Sequence, residues 1–146
     1  MSDFRKLTEG FYASPQITPE DIATAADLGV TLVVNNRPDE EAPDQPSGAE
    51  IEAAARAAGL DYVAIPVSGA GFSQPQIESL RDAIATTDGK VLGFCRSGTR
   101  STLLWSLYRA SEGDDADAIA ATALAAGYDI GPVRPAVDAL SARARS

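Results

Sequence analysis

Residues 91–101 read Val91-Leu92-Gly93-Phe94-Cys95-Arg96-Ser97-Gly98-Thr99-Arg100-Ser101. An apolar run enters the only cysteine, a glycine-centred turn follows, and Leu103, Leu104, Trp105, Leu107 and Tyr108 continue as a stretch apolar nearly all round. That order predicts strand, loop and deeply buried helix. A loop of this kind turns the first N–H groups of the helix, and the positive end of its dipole, toward the cysteine. A thiol held there is expected to be present as thiolate, the nucleophilic form.

Working outward, the same alternation of strand and helix recurs. Residues 10–13 read as a short strand. Thr18-Pro19-Glu20-Asp21 combines an N-cap hydroxyl, proline at the first helical position and acids in the first turn, so a helix runs from there to about Leu28 and stops at Gly29. Residues 30–34 are β-branched and apolar without alternation, as in a strand covered on both faces. Residues 36–48 form a polar loop with three prolines and four acids. A helix over 49–58, a buried strand over 62–65, a flexible loop over 68–72 and a helix capped by Ser73 with Gln76 follow. Ile77, Leu80 and Ile84 mark the inner face of that helix. The strand 90–94 then delivers Cys95, and helices near 115–126 and 132–144 close the chain.

This pattern implies an α/β fold in one domain over 1–146, with a mostly parallel central sheet flanked by helices on both faces. In such sheets ligands bind beyond the carboxyl ends of the strands. Cys95, Arg37 and Ser68 each follow a strand directly, so all three are expected at that edge. The candidate catalytic residues are Cys95, Arg100 and Ser101. The candidate anion-binding residues are Arg96, Ser97, Gly98, Thr99 and Arg37. Arg37 either lines the pocket or pairs with the acids 39–41. Ser101 either donates to the sulfur or is a plain first-turn residue. Arg96 is expected to face solvent and to add positive field.

Composition narrows the chemistry. The chain has 146 residues, 45% of them hydrophobic, no histidine and a net charge of −9. The charge argues against nucleic acid and anionic membrane as partners. Without histidine there is no Cys-His dyad, no Ser-His-Asp triad and no histidine-ligated metal. No metal or organic cofactor is expected. One cysteine, no export signal and no span-length apolar run make the cytoplasm the expected compartment.

Five blocks carry a resemblance to a known family. They are residues 11–21, Asn35-Asn36-Arg37-Pro38-Asp39, Tyr62-Val63-Ala64-Ile65-Pro66-Val67, Cys95 to Ser101, and Gly127-Tyr128-Asp129. Together, over about residues 8 to 135, they resemble the phosphatase-like domain of the beta-lactamase hydrolase-like proteins. The resemblance implies a fold like that of dual-specificity tyrosine phosphatases. It also implies, for some members, work alongside a persulfide dioxygenase in sulfide metabolism.

Two departures from the phosphatase pattern shape the expected reaction. Phosphatases place five residues between cysteine and arginine. Here four separate Cys95 from Arg100, as in the loop of rhodaneses, and Ser101 stands where the phosphatase arginine would. Phosphatases also place an acidic residue soon after the Ile-Pro-Val strand, whereas Ser68 to Ser73 contain no carboxylate. The leading expectation is therefore a sulfurtransferase. Cys95 would take a sulfur from a small anionic donor (thiosulfate or a persulfide) and pass it to a thiol acceptor. The alternative is a phosphatase acting on phosphotyrosine or small phosphoesters through a cysteinyl-phosphate, with Asp39, Glu40 or Glu41 as a substitute acid. A third reading is an oxyanion-binding or redox-sensing module without turnover.

Overall fold

A computed structural model of the protein describes residues 2–69 and 71–146; Ala70, within the loop expected over 68–72, lies outside the described residues. The strands are β1 Arg5–Thr8, β2 Phe11–Ser14, β3 Val30–Asn35, β4 Asp61–Ala64 and β5 Lys90–Phe94. They form one sheet in the order β1-β2-β5-β3-β4. β2, β5, β3 and β4 run parallel, while β1 pairs antiparallel with β2 at one edge. The helices are α1 Pro19–Asp27, α2 Gly48–Ala57, α3 Gln74–Ala85, α4 Thr99–Ser111, α5 Ala116–Ala125 and α6 Arg134–Arg145, the last entered through a 3-10 turn at Gly131–Val133.

Local chemistry sets the helix starts. The Asp21 carboxylate accepts the Thr18 N–H at 2.8 Å, and Gln76 Oε1 accepts the Ser73 N–H at 2.9 Å. Each satisfies a donor that the helix itself leaves unpaired. Ser47 and Asp115 cap α2 and α5 through their side-chain oxygens.

The sheet separates two cores. On one side Leu80, Leu104, Ile119 and Val137 gather from α3, α4, α5 and α6. On the other, Ile22, Ala25, Ile51 and Ala55 from α1 and α2 pack on Val33 and Leu92. Two strand expectations change. β4 is not buried on both faces: it is the sheet edge, and Asp61 and Ala64 are exposed. β1 went unread because only Leu7 of its four residues points inward. Ile84, expected on the inner face of α3, is half-buried.

Register aligns the strand ends. Ser14 and Asn35 both pair with Phe94, and Asn35 also pairs with Ala64. Four strands therefore end level, and the residues after them share one edge.

Candidate active site

The nucleophile candidate stands one residue past β5. Its backbone extends the sheet: the Cys95 N–H donates to Ser14 O at 3.3 Å, and the Asn36 N–H donates to Phe94 O at 2.9 Å. Cys95 itself is fully buried. The chain then turns through Gly98, whose φ of 91° is the left-handed region favoured by glycine. That turn brings the Gly98 N–H onto Cys95 Sγ at 3.1 Å. A Cβ at Gly98 would lie 2.2 Å from Tyr128 Oη, so both backbone and space require glycine. Tyr128 in turn donates to Ser97 O at 3.1 Å, holding the loop from behind. Burial pushes the Tyr128 phenol up; Arg5 opposes this and the Cys95 sulfur adds to it.

The outer loop is polar. Arg96 and Ser97 are exposed, the Arg96 carbonyl accepts the Gln16 N–H at 3.2 Å, and the Ser97 and Thr99 hydroxyls lie 3.0 Å apart. Arg100, in the first turn of α4, turns inward. Its Nη1 donates to Val67 O at 2.8 Å and to Glu41 Oε2 at 2.7 Å, and its Nη2 donates to Glu41 Oε1 at 2.9 Å. Arg37 is buried and donates from Nε to Glu41 Oε1 at 3.0 Å and from Nη1 to Gln16 Oε1 at 3.0 Å. These two guanidinium groups, Arg100 foremost, lower the Glu41 carboxyl to about 2. The Arg100 cation is reinforced chiefly by Glu41 and also by Cys95.

The structure thus brings Gly98 onto Cys95 and places Glu41 between Arg100 and Arg37. For Arg37 the structure shows the ion-pair alternative, with Glu41 as the acid. Ser101 stands in the first turn of α4, and its hydroxyl donates to Asn36 Oδ1 at 2.7 Å, not to the sulfur. Asn36 Nδ2 passes the link on to Ile65 O at 2.9 Å, tying α4 to the loops after β3 and β4. Ser101 is therefore a positioning residue in this arrangement.

Asp39 accepts the Gly48 N–H at 2.7 Å at the start of α2, and Glu41 is ionised at neutral pH. Asn36, Gln16 and Tyr128 were not singled out from sequence. For Asn36 a signal was present: two amides directly after an apolar β-branched run belong at a sheet edge, where buried side-chain amides need partners. What the arrangement offers chemically is a sulfur nucleophile under a backbone amide, beside a guanidinium fork suited to oxyanions.

Comparison with known proteins places this geometry. Residues 3–112 match the family described as beta-lactamase hydrolase-like protein, phosphatase-like domain. The beta-lactamase hydrolase-like protein of Xylella fastidiosa is 37% identical over 126 residues, which are 86% of this chain and 29% of that protein. The chain thus spans under a third of the length of the curated relatives it matches. A phosphatase candidate from Neisseria meningitidis superposes with a TM-score of 0.82 at 36% identity, covering 93% of this chain and 96% of its own. P. aeruginosa TpbA in complex with phosphotyrosine shares the fold at 20% identity, with a TM-score of 0.67 over 97% of this chain and 89% of its own. The chain belongs to the phosphatase-like domain family of the beta-lactamase hydrolase-like proteins and has a tyrosine-phosphatase-like fold.

Proposed function

We propose that this domain hydrolyses phosphate monoesters through a cysteinyl-phosphate on Cys95. The observation that carries the reading is Cys95 Sγ under the Gly98 N–H, with the Arg100 guanidinium beside it, in a family of phosphatase-like domains. The Cys95 thiolate attacks phosphorus, the S–P bond forms, and the P–O ester bond breaks. The leaving oxygen takes its proton from water. A second water then attacks phosphorus, the P–S bond breaks, and phosphate departs, returning the thiolate. Arg100, and the loop amides from Arg96 to Ser101, offset the charge on the phosphoryl oxygens.

No carboxylate stands after Val67 to protonate the leaving group, a function typically worth about 10²–10⁴ in rate. Aryl esters suffer least from that lack, because a phenol ionises near pH ~10 and leaves more readily than an alkoxide. Phosphotyrosine and similar aryl phosphates are therefore the preferred substrate class. The phosphotyrosine held by TpbA supports this choice.

Sulfur transfer is the second reading; the phosphatase-like relatives support the first. The four-residue spacing from Cys95 to Arg100 favours it. The thiolate would attack the outer sulfur of thiosulfate, forming an S–S bond and releasing sulfite. A thiol acceptor would then remove the terminal sulfur and restore the thiolate. A persulfide dioxygenase is the partner that such a product would suit.

One experiment separates the readings. Turnover of p-nitrophenyl phosphate that disappears in Cys95→Ser, with the fold retained, supports hydrolysis. No turnover, with one added sulfur on Cys95 by intact mass after thiosulfate, supports sulfur transfer. Neither result would leave an oxyanion-binding or redox-sensing module.

A further inference from the structure

We propose that Arg37 and Arg100 form a single oxyanion clamp, and that Glu41 is its resident occupant, a carboxylate seated where the substrate's own anionic group binds. The proposal rests on the reading above only in taking Cys95 as the reacting atom. It deepens that reading by naming what the substrate must carry: an oxyanion that can present two oxygens to adjacent guanidinium groups and displace a bound carboxylate.

Three nitrogens from two arginines converge on Glu41, and both of its oxygens are taken. This is the paired geometry by which arginine recognises carboxylate and phosphate. It differs from an ordinary surface ion pair in one respect. The Arg37 side chain is only 5% exposed, and its other side-chain partner among the described residues, Gln16, is neutral. A buried guanidinium without an anion is costly, so this position is built to be filled.

The clamp is also held from behind, independently of Glu41. Val67 O fixes Arg100, and Gln16 Oε1 fixes Arg37. Both forks therefore stay aimed when the carboxylate leaves. Glu41 has somewhere to go. It comes from an irregular loop, just after the left-handed turn at Glu40, and lines a surface cavity of about 440 Å³ with Pro43 and Gln45. Arg100 opens α4 directly after the loop whose Gly98 N–H donates to Cys95 Sγ, so an anion in the clamp meets the same short loop as the sulfur. A phosphoryl group or the sulfonate of thiosulfate would meet the same two forks.

The full chain tests this through its single thiol. Cys95 is alkylated with iodoacetate, an anion, and with iodoacetamide, its neutral counterpart, and followed by intact mass. Glu41→Gln should raise the iodoacetate-to-iodoacetamide rate ratio roughly tenfold or more, the size of a charge-assisted hydrogen bond. Inorganic phosphate, and separately thiosulfate, should protect Cys95 at correspondingly lower concentration; the ion that protects better identifies the source of the oxyanion. Glu41→Asp keeps the charge but withdraws it by one methylene, and should fall between. Glu40→Gln, which changes net charge equally, should do nothing. An unchanged ratio in folded Glu41→Gln overturns the clamp, as does an equal effect from Glu40→Gln. If Glu41→Gln fails to fold, an unchanged ratio in Glu41→Asp decides against it. A raised ratio without p-nitrophenyl phosphate turnover keeps the clamp and rejects hydrolysis; turnover with an unchanged ratio does the reverse.

Discussion

Arg100 is the residue on which site chemistry and site architecture meet. Its fork holds Glu41 and Val67 O at once, geometry that a lysine point charge cannot copy. Arg100→Lys should cut kcat/KM roughly tenfold to a hundredfold through KM while moving the thermal midpoint little. A variant that melts early with KM unchanged would make Arg100 structural. Its partner sets an acid limit. Pairing lowers the Glu41 carboxyl from an ordinary 4.5 to about 2, so the stability it contributes is complete above pH 4.5 and is lost as pH falls toward 2. Acid titration of Glu41→Gln should lack that component. Ser101 gives a complementary case. Removing its hydroxyl strands the Asn36 Oδ1 acceptor in the interior, so Ser101→Ala should cost about 1–3 kcal/mol in chemical denaturation.

At the scale of elements, the short loop between β5 and α4 is shaped by what lies behind it. Gly98→Ala adds a methyl against Tyr128 Oη and demands a φ of 91° from a residue with a Cβ. Gly98→Ala should therefore disturb the Gly98 N–H contact with sulfur, and Tyr128→Phe should relieve only the collision. Alkylation rates and melting of the single and double variants check this. The loop itself was readable in sequence, since an apolar run ending in Cys95 and restarting after Gly98 has few other folds. Caps at Thr18 and Ser73 were equally plain, because they are satisfied within four residues. What sequence concealed depends on contacts far apart in the chain. Glu41 looked like one acid in a solvated loop; only the approach of α4, 59 residues on, makes it the counterion of Arg100. β4 read as buried because its side chains are apolar, yet sheet order puts it at the rim.

For the whole molecule, one cavity opens at the end of β2 and β5 opposite the edge that holds Cys95. Trp105, on α4, packs with Phe11 and lines a cavity of about 410 Å³ near Thr8 and Val91, away from the edge where Cys95 stands. Trp105→Ala should cost about 3–5 kcal/mol of stability with KM for a small aryl phosphate unchanged; a comparable rise in KM would mean the two ends are coupled. Among the described residues no helix is long and apolar enough to cross a membrane. The strand ladder runs one residue past β3 and β5, locking the amides of Asn36 and Cys95 into its middle. In heavy water these two should therefore surrender their protons only when the entire domain opens, whereas the amides of the exposed loop residues Asp44 and Ser47 should exchange early. Cys95 thus rests on the hydrogen-bonded floor of the sheet, while Glu41 hangs from an irregular surface loop.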